Sequence, residues 1–208
     1  MAGVVDSFAD AWLVEGVRTP FVDYNGALAG VSPIDLGIKV GREVFKRASA
    51  SPDDVGMVVA GSMAQASFDA YFLPRHIALY SGAPVEAPAH LVQRVCGTGI
   101  DVLAQAADAV SRGRADLALC VGAESMSRNP VAAYTHRRGF RMGQIEFKDS
   151  CGRRCSIRPR KLRWAIPPKP LRANTRSRAS RWMLSPAAAS IARLRRKRTV
   201  SSPTRSCR

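Results

Sequence analysis

The acidic residues of this chain stop abruptly at residue 149. All 16 Asp and Glu lie in residues 1–149, beside 14 Lys and Arg, so this part has a net charge of −2. Residues 150–208 carry the remaining 18 of the 32 basic residues and no acid. A long segment dominated by serine, proline and arginine buries too little apolar surface to fold and is typical of disorder. We therefore predict a domain in residues 1–149 and a basic, low-complexity tail in residues 150–208 that forms no domain and is largely disordered.

Residues 1–149 alternate between strand and helix patterns. Three apolar segments are typical of buried strands: residues 11–17, 55–61 and 115–121. Three segments are typical of helices: the one that Ser32 caps, residues 71–80, and residues 96 to about 112. Strands that alternate with helices predict an α/β fold with a mixed sheet. In the tail, only residues 187–194 have a pattern that would suit a short helix.

The segment from Gln93 to Ile100 is predicted to turn sharply into the third helix, with Cys96 and two glycines at the start of that helix. The first amides of a helix have no internal partner, and the helix dipole places partial positive charge there, which favours a thiolate. A thiolate in this position is a candidate nucleophile. The competing interpretation is a small buried hydrophobic residue, which is what most free cysteines are.

The helix that follows Cys96 is apolar around most of its circumference. Its polar residues form one narrow stripe: Asp101, Gln105, Asp108 and Arg112. Alanines, which permit close approach of a neighbour, cover much of the rest. A helix of this kind is buried between layers, so we expect protein on more than one side of it.

The other reactive side chains have more ordinary explanations. Cys120 lies in an apolar strand and is predicted to be buried, and Cys151 and Cys155 lack the second ligand pair that a zinc site needs. Glu124 and Ser125 end a strand near the expected site, and we assign them a packing or loop role. The histidines are predicted to be structural or surface residues: His76, His90 and His136. We predict no metal site.

The cysteines and the N-terminus also indicate a compartment. Five unpatterned cysteines fit a reducing environment, and the N-terminus shows no basic and apolar export signal. The sequence has no apolar run of the ~18 residues that a transmembrane helix needs. We therefore expect a cytoplasmic protein without a membrane partner.

Four short motifs occur in order within residues 1–149: Val17–Phe21, Gly26–Leu28, Arg94–Gly99 and Gly122–Ser127. Together they resemble the thiolases, which are acetyl-CoA acyltransferases. A ketoacyl synthase also places a cysteine at a helix N-terminus, but the first and last motifs resemble thiolases. The resemblance runs from about Trp12 to Asp149. Two residues depart from the family pattern, since Gln93 replaces the usual asparagine and Thr98 the usual serine.

The resemblance implies that Cys96 is the catalytic nucleophile. Its thiolate would attack the thioester of an acetyl-CoA or longer acyl-CoA, expel coenzyme A and leave an S-acyl enzyme, with the backbone N–H of Cys96 as one oxyanion donor. The chain would then form or cleave 3-ketoacyl-CoA, with coenzyme A thioesters as substrates and no bound cofactor. Family members form dimers or tetramers, so a homo-oligomer is expected.

The tail does not resemble the rest of a thiolase. In the family, the second acyl transfer uses a second cysteine and a histidine from the C-terminal half, so we expect a thiolase by lineage that is truncated and inactive as it stands. A shift in reading frame would explain the tail. Codons allowed for residues 163–169, read two bases later, encode Met-Gly-Asp-Thr-Ala-Glu, a thiolase motif, and three other tail segments permit family-like sequence at the same offset. Sequencing the gene tests this expectation.

Two other functions are compatible with this chain, one of which depends on the basic tail. Its 18 positive charges would bind nucleic acid non-specifically and in a salt-dependent manner, although only Trp164 and Trp182 are available there to stack on bases. Alternatively, the chain is a non-catalytic partner within thiolase oligomers. Size-exclusion chromatography distinguishes such a partner, which would run as a defined oligomer, from an aggregate.

Overall fold

The computed structural model describes residue 8 and residues 10–64, 70–133, 136–143, 145–149 and 190–196. The strands of its main sheet are β1 (Ala11–Arg18), β2 (Met57–Gly61), β3 (Ala89–Val92), β4 (Leu117–Gly122) and β7 (Ser190–Arg196). A separate two-stranded sheet consists of β5 (Val131–Ala132) and β6 (Lys148–Asp149). The α-helices are α1 (Pro33–Arg47), α2 (Leu73–Tyr80) and α3 (Thr98–Ser111).

The strands of the main sheet lie in the order β1-β7-β4-β2-β3. β2 pairs in parallel with both β3 and β4, as expected for strands that alternate with helices. β7 is antiparallel to β1 and to β4, so the sheet is mixed. The predicted α/β fold is confirmed. Because β4, β2 and β3 are parallel neighbours, their carboxyl ends lie side by side at one end of the sheet.

Helix α1 begins where the sequence predicts it. The Ser32 hydroxyl accepts a hydrogen bond from the backbone N–H of Asp35 at 3.0 Å, and Pro33 occupies the first helical position. Both features stabilise a helix start, because the first amides have no internal acceptor. The predicted apolar face of this helix is buried: Leu36, Val40, Val44 and Phe45.

Two apolar cores lie on opposite faces of the sheet. One contains residues of α1, α2 and alternate positions of β4, namely Leu117, Leu119 and Val121. The other contains α3 and the intervening β4 positions, Ala118 and Cys120. Successive strand residues point to opposite faces, so β4 contributes to both cores, and its predicted burial on both faces is confirmed.

Strand β1 is much more exposed than its sequence suggests. We predicted a buried strand, but Trp12 is 60% exposed and Leu13 is 62% exposed, and Val17 is the strand's buried residue. The reason is its position, because β1 lies at the edge of the main sheet with β7 as its one neighbour in it. An apolar run cannot distinguish an edge strand from a central one.

Helix α3 is covered on one side in the described part of the chain. Val102, Ala106 and Val110 pack in the core beside the sheet, whereas Ile100 is 74% exposed. The expectation of protein on more than one side of this helix is therefore not met by the described residues. The apolar surface of α3 is larger than the part of it that the described residues cover.

The tail contributes a strand that sequence analysis did not predict. Ser190–Arg196 forms β7, whereas the pattern suggested a short helix over residues 187–194. The segment is short, and its pairing with β1 and β4 is non-local, which a local pattern does not reveal. The predictions for residues 150–189 and 197–208, including Cys151 and Cys155, lie outside the described residues.

None of the helices in the described part of the chain is both long and apolar enough to cross a membrane.

Candidate active site

Cys96 lies in a short 3-10 turn, Val95–Gly97, between the end of β3 and the start of α3. Its thiol is free and exposed. The predicted entry into a helix is confirmed, with the difference that the α-helix itself begins at Thr98, two residues after the cysteine. The exposed thiol excludes the alternative of a small buried hydrophobic residue.

The residue before the cysteine has an unusual backbone conformation. Val95 has a φ of +50°, in the left-handed region that β-branched residues rarely adopt. Such a conformation costs roughly 1–3 kcal/mol and persists only where the surrounding structure holds it in place. Residues of this kind cluster at functional sites, which distinguishes this turn from an ordinary loop.

Thr98 is one of the groups that hold the turn. Its hydroxyl accepts a hydrogen bond from the backbone N–H of Arg94 at 2.8 Å and donates one to the carbonyl oxygen of Val95 at 2.6 Å. The two bonds connect the backbone of Arg94 and that of Val95 to Thr98, the first residue of α3. Thr98 is 5% exposed, so water competes little for these bonds. The usual serine of the family would supply the same hydroxyl.

The carboxyl ends of the central strands lie directly beneath this turn. A Cβ atom placed on Gly61, the last residue of β2, would lie 2.3 Å from the Thr98 Cγ2 methyl group. A Cβ atom on Gly122, the last residue of β4, would lie 4.0 Å from the Cα of Gly99. Glycine at Gly61 is therefore what allows the turn to approach the strand. The site lies outside the carboxyl ends of parallel strands, where α/β folds commonly bind ligands.

The Glu124 carboxylate connects the ends of β4 and β2. Its Oε2 atom accepts hydrogen bonds from the backbone N–H groups of Met63 at 2.6 Å and Ala64 at 3.0 Å, and from the Ser62 hydroxyl at 3.3 Å. The loop role that we predicted for Glu124 is confirmed by these contacts. Its second oxygen, Oε1, is buried without a hydrogen-bond partner in the described part of the chain.

A second contact to the same loop comes from the segment that carries Cys96. The Gln93 side chain donates from Nε2 to the carbonyl oxygen of Met63 at 2.9 Å. Sequence reasoning identified Gln93 only as a departure from a family pattern and did not identify Met63 at all. A contact between residues 30 positions apart leaves no local signal in the sequence.

Cys120, His76 and His90 have the structural roles that the sequence predicted. Cys120 is buried in β4, and burial raises the pKa of its thiol to about 12, so it stays protonated at neutral pH. The His76 ring stacks on Tyr80 with centroids 6.1 Å apart, and His90 Nε2 lies 3.1 Å from Gln105 Oε1. Both histidines have structural contacts. The side chain of His136 lies outside the described residues.

The described residues include no group of three or more His, Cys, Asp or Glu side chains arranged to hold a metal ion. The Cys96 thiol has no hydrogen-bond partner within this same part of the chain. What the site offers is therefore an exposed thiol, the start of a helix and a tightly held turn.

The model of the thiolase N-terminal domain family matches residues 11–156. This chain belongs to the thiolase family. The match extends to residue 156, beyond Asp149, which is the predicted end of the resemblance. The expectation that rested on four short motifs is confirmed.

Individual thiolases show the same extent of similarity. The beta-ketothiolase BktB of Cupriavidus necator is 42% identical over 137 residues, which are 66% of this chain and 35% of that protein. The human mitochondrial 3-ketoacyl-CoA thiolase is 34% identical over 140 residues, which are 67% of this chain and 35% of that protein. The chain thus spans about a third of the length of the curated relatives that it matches.

Solved structures agree with the sequence comparison. The crystal structure of the human mitochondrial 3-ketoacyl-CoA thiolase in complex with CoA has a TM-score of 0.64 at 33% identity, over 67% of this chain and 36% of that one. The acetyl-CoA acetyltransferase of Bacillus anthracis has a TM-score of 0.66 at 29% identity, over 72% of this chain and 38% of that one. These similarities support the thiolase fold for the described domain.

Proposed function

We propose that Cys96 accepts an acyl group from an acyl-CoA thioester, as the nucleophile of a thiolase-type acyltransferase. The observation that carries this proposal is the exposed thiol in a strained turn, two residues before α3 and at the carboxyl ends of parallel strands. The names of the relatives, a beta-ketothiolase and a 3-ketoacyl-CoA thiolase, support 3-ketoacyl-CoA as the substrate class.

The chemistry follows from the position of the sulfur. The Cys96 thiol loses its proton to solvent, and its thiolate attacks the carbonyl carbon of the thioester, forming a new C–S bond and an oxyanion. The proposed oxyanion donor is the backbone N–H of Cys96, and the partial positive charge at the start of a helix favours the same oxyanion. The N–H groups of Gly97 and Thr98 already donate to the carbonyl oxygens of Arg94 and Val95. Collapse of the intermediate breaks the bond to the coenzyme A sulfur, which leaves as a thiolate and takes up a proton. The product is an S-acyl cysteine.

We limit the proposal to this first acyl transfer. Within the described residues the Cys96 thiol has no hydrogen-bonded base, so the proposal names no acid or base for a second acyl transfer. We expect purified chain to form the acyl-enzyme and to show no multiple turnover of acetoacetyl-CoA. A cytoplasmic location and a homo-oligomeric state remain proposals that rest on family resemblance and composition.

The acyl-enzyme is tested directly by mass spectrometry. The full chain is incubated with acetyl-CoA, and its peptides are examined for an added acetyl group. We expect the group on the peptide that contains Cys96, its loss in Cys96→Ser, and its retention in Cys120→Ala, which removes the buried thiol. If iodoacetamide alkylates Cys96 in the folded chain while acetyl-CoA leaves it unmodified, the proposal is wrong.

A further inference from the structure

One peptide unit at the carboxyl ends of the central strands is held from both sides. The backbone N–H of Met63 donates to Glu124 Oε2 at 2.6 Å, and the carbonyl oxygen of Met63 accepts from Gln93 Nε2 at 2.9 Å. Glu124 follows β4, Met63 follows β2 and Gln93 follows β3. We call these three residues the Met63 clamp. It joins the ends of three adjacent parallel strands, in the order in which they lie in the sheet.

The strongest contact in the clamp is the one to the carboxylate. Hydrogen bonds to an ionised group are shorter and roughly twice as strong as neutral ones, and the 2.6 Å bond to Met63 fits that description. Ala64 N–H and the Ser62 hydroxyl donate to the same oxygen. Glu124 thereby fixes residues 62–64, directly after β2, relative to β4, and these residues support the next group that bonds to them.

That next group belongs to the segment that carries the nucleophile. Gln93 is the third residue before Cys96, and its amide is the side-chain contact that connects the exit from β3 to the loop. The strained φ of Val95 requires restraint on both sides of the turn. Thr98 ties Arg94 and Val95 to the first residue of α3, and the Met63 clamp ties the preceding residue, Gln93, to the segment after β2.

We propose that Glu124 and Gln93 are positioning residues, which act through the Met63 peptide to fix the Cys96 turn relative to the sheet. Neither residue reacts with substrate. Without the clamp, Thr98 would still tie the turn to α3, but Gln93 would no longer be fixed to the residues after β2, and Cys96 would lose its fixed position relative to the sheet. The inference rests on Cys96 being the reactive thiol, as in the proposed function.

The test measures how fast Cys96 reacts in the folded full chain. The rate constant for alkylation of the Cys96 peptide by iodoacetamide is determined by mass spectrometry at one pH, alongside the free energy of unfolding. We expect Gln93→Ala and Gln93→Leu, which remove the amide, each to lower the rate roughly threefold or more, since the rate depends on how the sulfur is placed relative to the partial positive charge at the start of a helix. Because Gln93 is exposed, its substitution should change stability little. Lys39→Ala, which shortens an exposed side chain on α1, is the control and should leave the rate unchanged.

Glu124 is tested by a pair of variants, since its removal risks unfolding the loop. Glu124→Gln keeps a carbonyl oxygen for the Met63 and Ala64 N–H groups and should retain most of the rate. Glu124→Ala removes the acceptor and should lower the rate as Gln93→Ala does. The double variant Glu124→Ala/Gln93→Ala should be no slower than the slower single variant, because both act through one peptide. Rates for the Gln93 variants that match the unmodified chain would overturn the inference.

The inference and the proposed function fail in different ways. If acetyl-CoA leaves Cys96 unmodified but the alkylation rates still follow the expected order, the acyl-transfer proposal fails and the clamp is supported. If Cys96 is acetylated and the Gln93 variants are alkylated at the normal rate, the acyl-transfer proposal stands and the clamp is refuted.

Discussion

Gly61→Ala tests how closely the Cys96 turn approaches the sheet. The added methyl group would lie 2.3 Å from Thr98 Cγ2, 2.9 Å from the carbonyl oxygen of Val92 and 3.0 Å from Val102 Cγ2. Gly61 does not have a positive φ, so the effect of substitution on the native state is steric. Thr98 must move or the end of β2 must bend. Both movements change the contact between the end of β2 and the turn that carries Cys96.

Two opposing contributions determine how much Gly61→Ala changes the free energy of unfolding. Overpacking a well-filled core costs about 1–3 kcal/mol, and replacing glycine by alanine within a strand recovers roughly 0.5–1 kcal/mol of conformational entropy. We therefore expect a net destabilisation of about 0–2.5 kcal/mol, centred on about 1 kcal/mol. Thr98→Ser removes the nearest methyl group while keeping the hydroxyl. In that background the cost of Gly61→Ala should fall by about 1 kcal/mol, and the contacts to Val92 and Val102 should account for the remainder.

Urea denaturation followed by far-ultraviolet circular dichroism measures this double-mutant cycle. The control is Gly30→Ala, because a Cβ atom at Gly30 would meet no other atom within 4 Å. It should change the free energy of unfolding by less than about 0.5 kcal/mol. An equal cost of Gly61→Ala in the threonine and serine backgrounds would show that the Thr98 methyl group does not limit the approach of the turn.

Three further predictions concern other parts of the domain. Val95→Gly should raise the free energy of unfolding by about 0.5–1 kcal/mol in urea denaturation, because it relieves the left-handed φ; the control Val85→Gly, at an exposed residue without a positive φ, should lower it, and equal effects would contradict the assigned strain. The pKa of Cys120 is raised from 9.0 to about 12, so the native thiol stays protonated while the unfolded one ionises. The free energy of unfolding should therefore fall as pH rises above about 9, by up to ~1.4 kcal/mol per pH unit, and a pH series on Cys120→Ala should show a shallower fall. Ser32→Ala removes the hydroxyl that accepts from Asp35 and should cost about 1 kcal/mol in the same urea assay; an unchanged midpoint would be evidence against the cap.

Local features of this chain were predictable and non-local ones were not. Ser32 and Pro33 determine the start of α1 through contacts within one helical turn, and the apolar run of β4 determines its burial. The position of Cys96 before α3 followed in the same way from adjacent residues. These predictions depend on residues that are close in the sequence.

The errors and omissions depend on residues that are far apart. The exposure of Trp12 results from the edge position of β1, which is determined by strand order. The bond between Met63 and Glu124 joins residues 61 positions apart. The pairing of β7 with β1 joins the two ends of the described chain. Neither composition nor periodicity encodes which distant segments will become neighbours, so the contacts that hold the Cys96 turn could not be predicted, whereas the position of Cys96 before α3 could.

The position of β7 has a consequence for the order of events during synthesis. β1 is translated before the other strands of the main sheet, yet the strand that connects it to that sheet is the last described segment of the chain. Until Ser190–Arg196 has been translated, β1 and β4 present unpaired backbone edges, which are templates for association with other chains. Pairing across such a separation is intrinsically slow, and incomplete sheets aggregate. Between the translation of β4 and that of β7, a nascent chain would therefore carry an open gap in its sheet, and a chaperone that shields the open edges during this interval would raise the yield of folded protein.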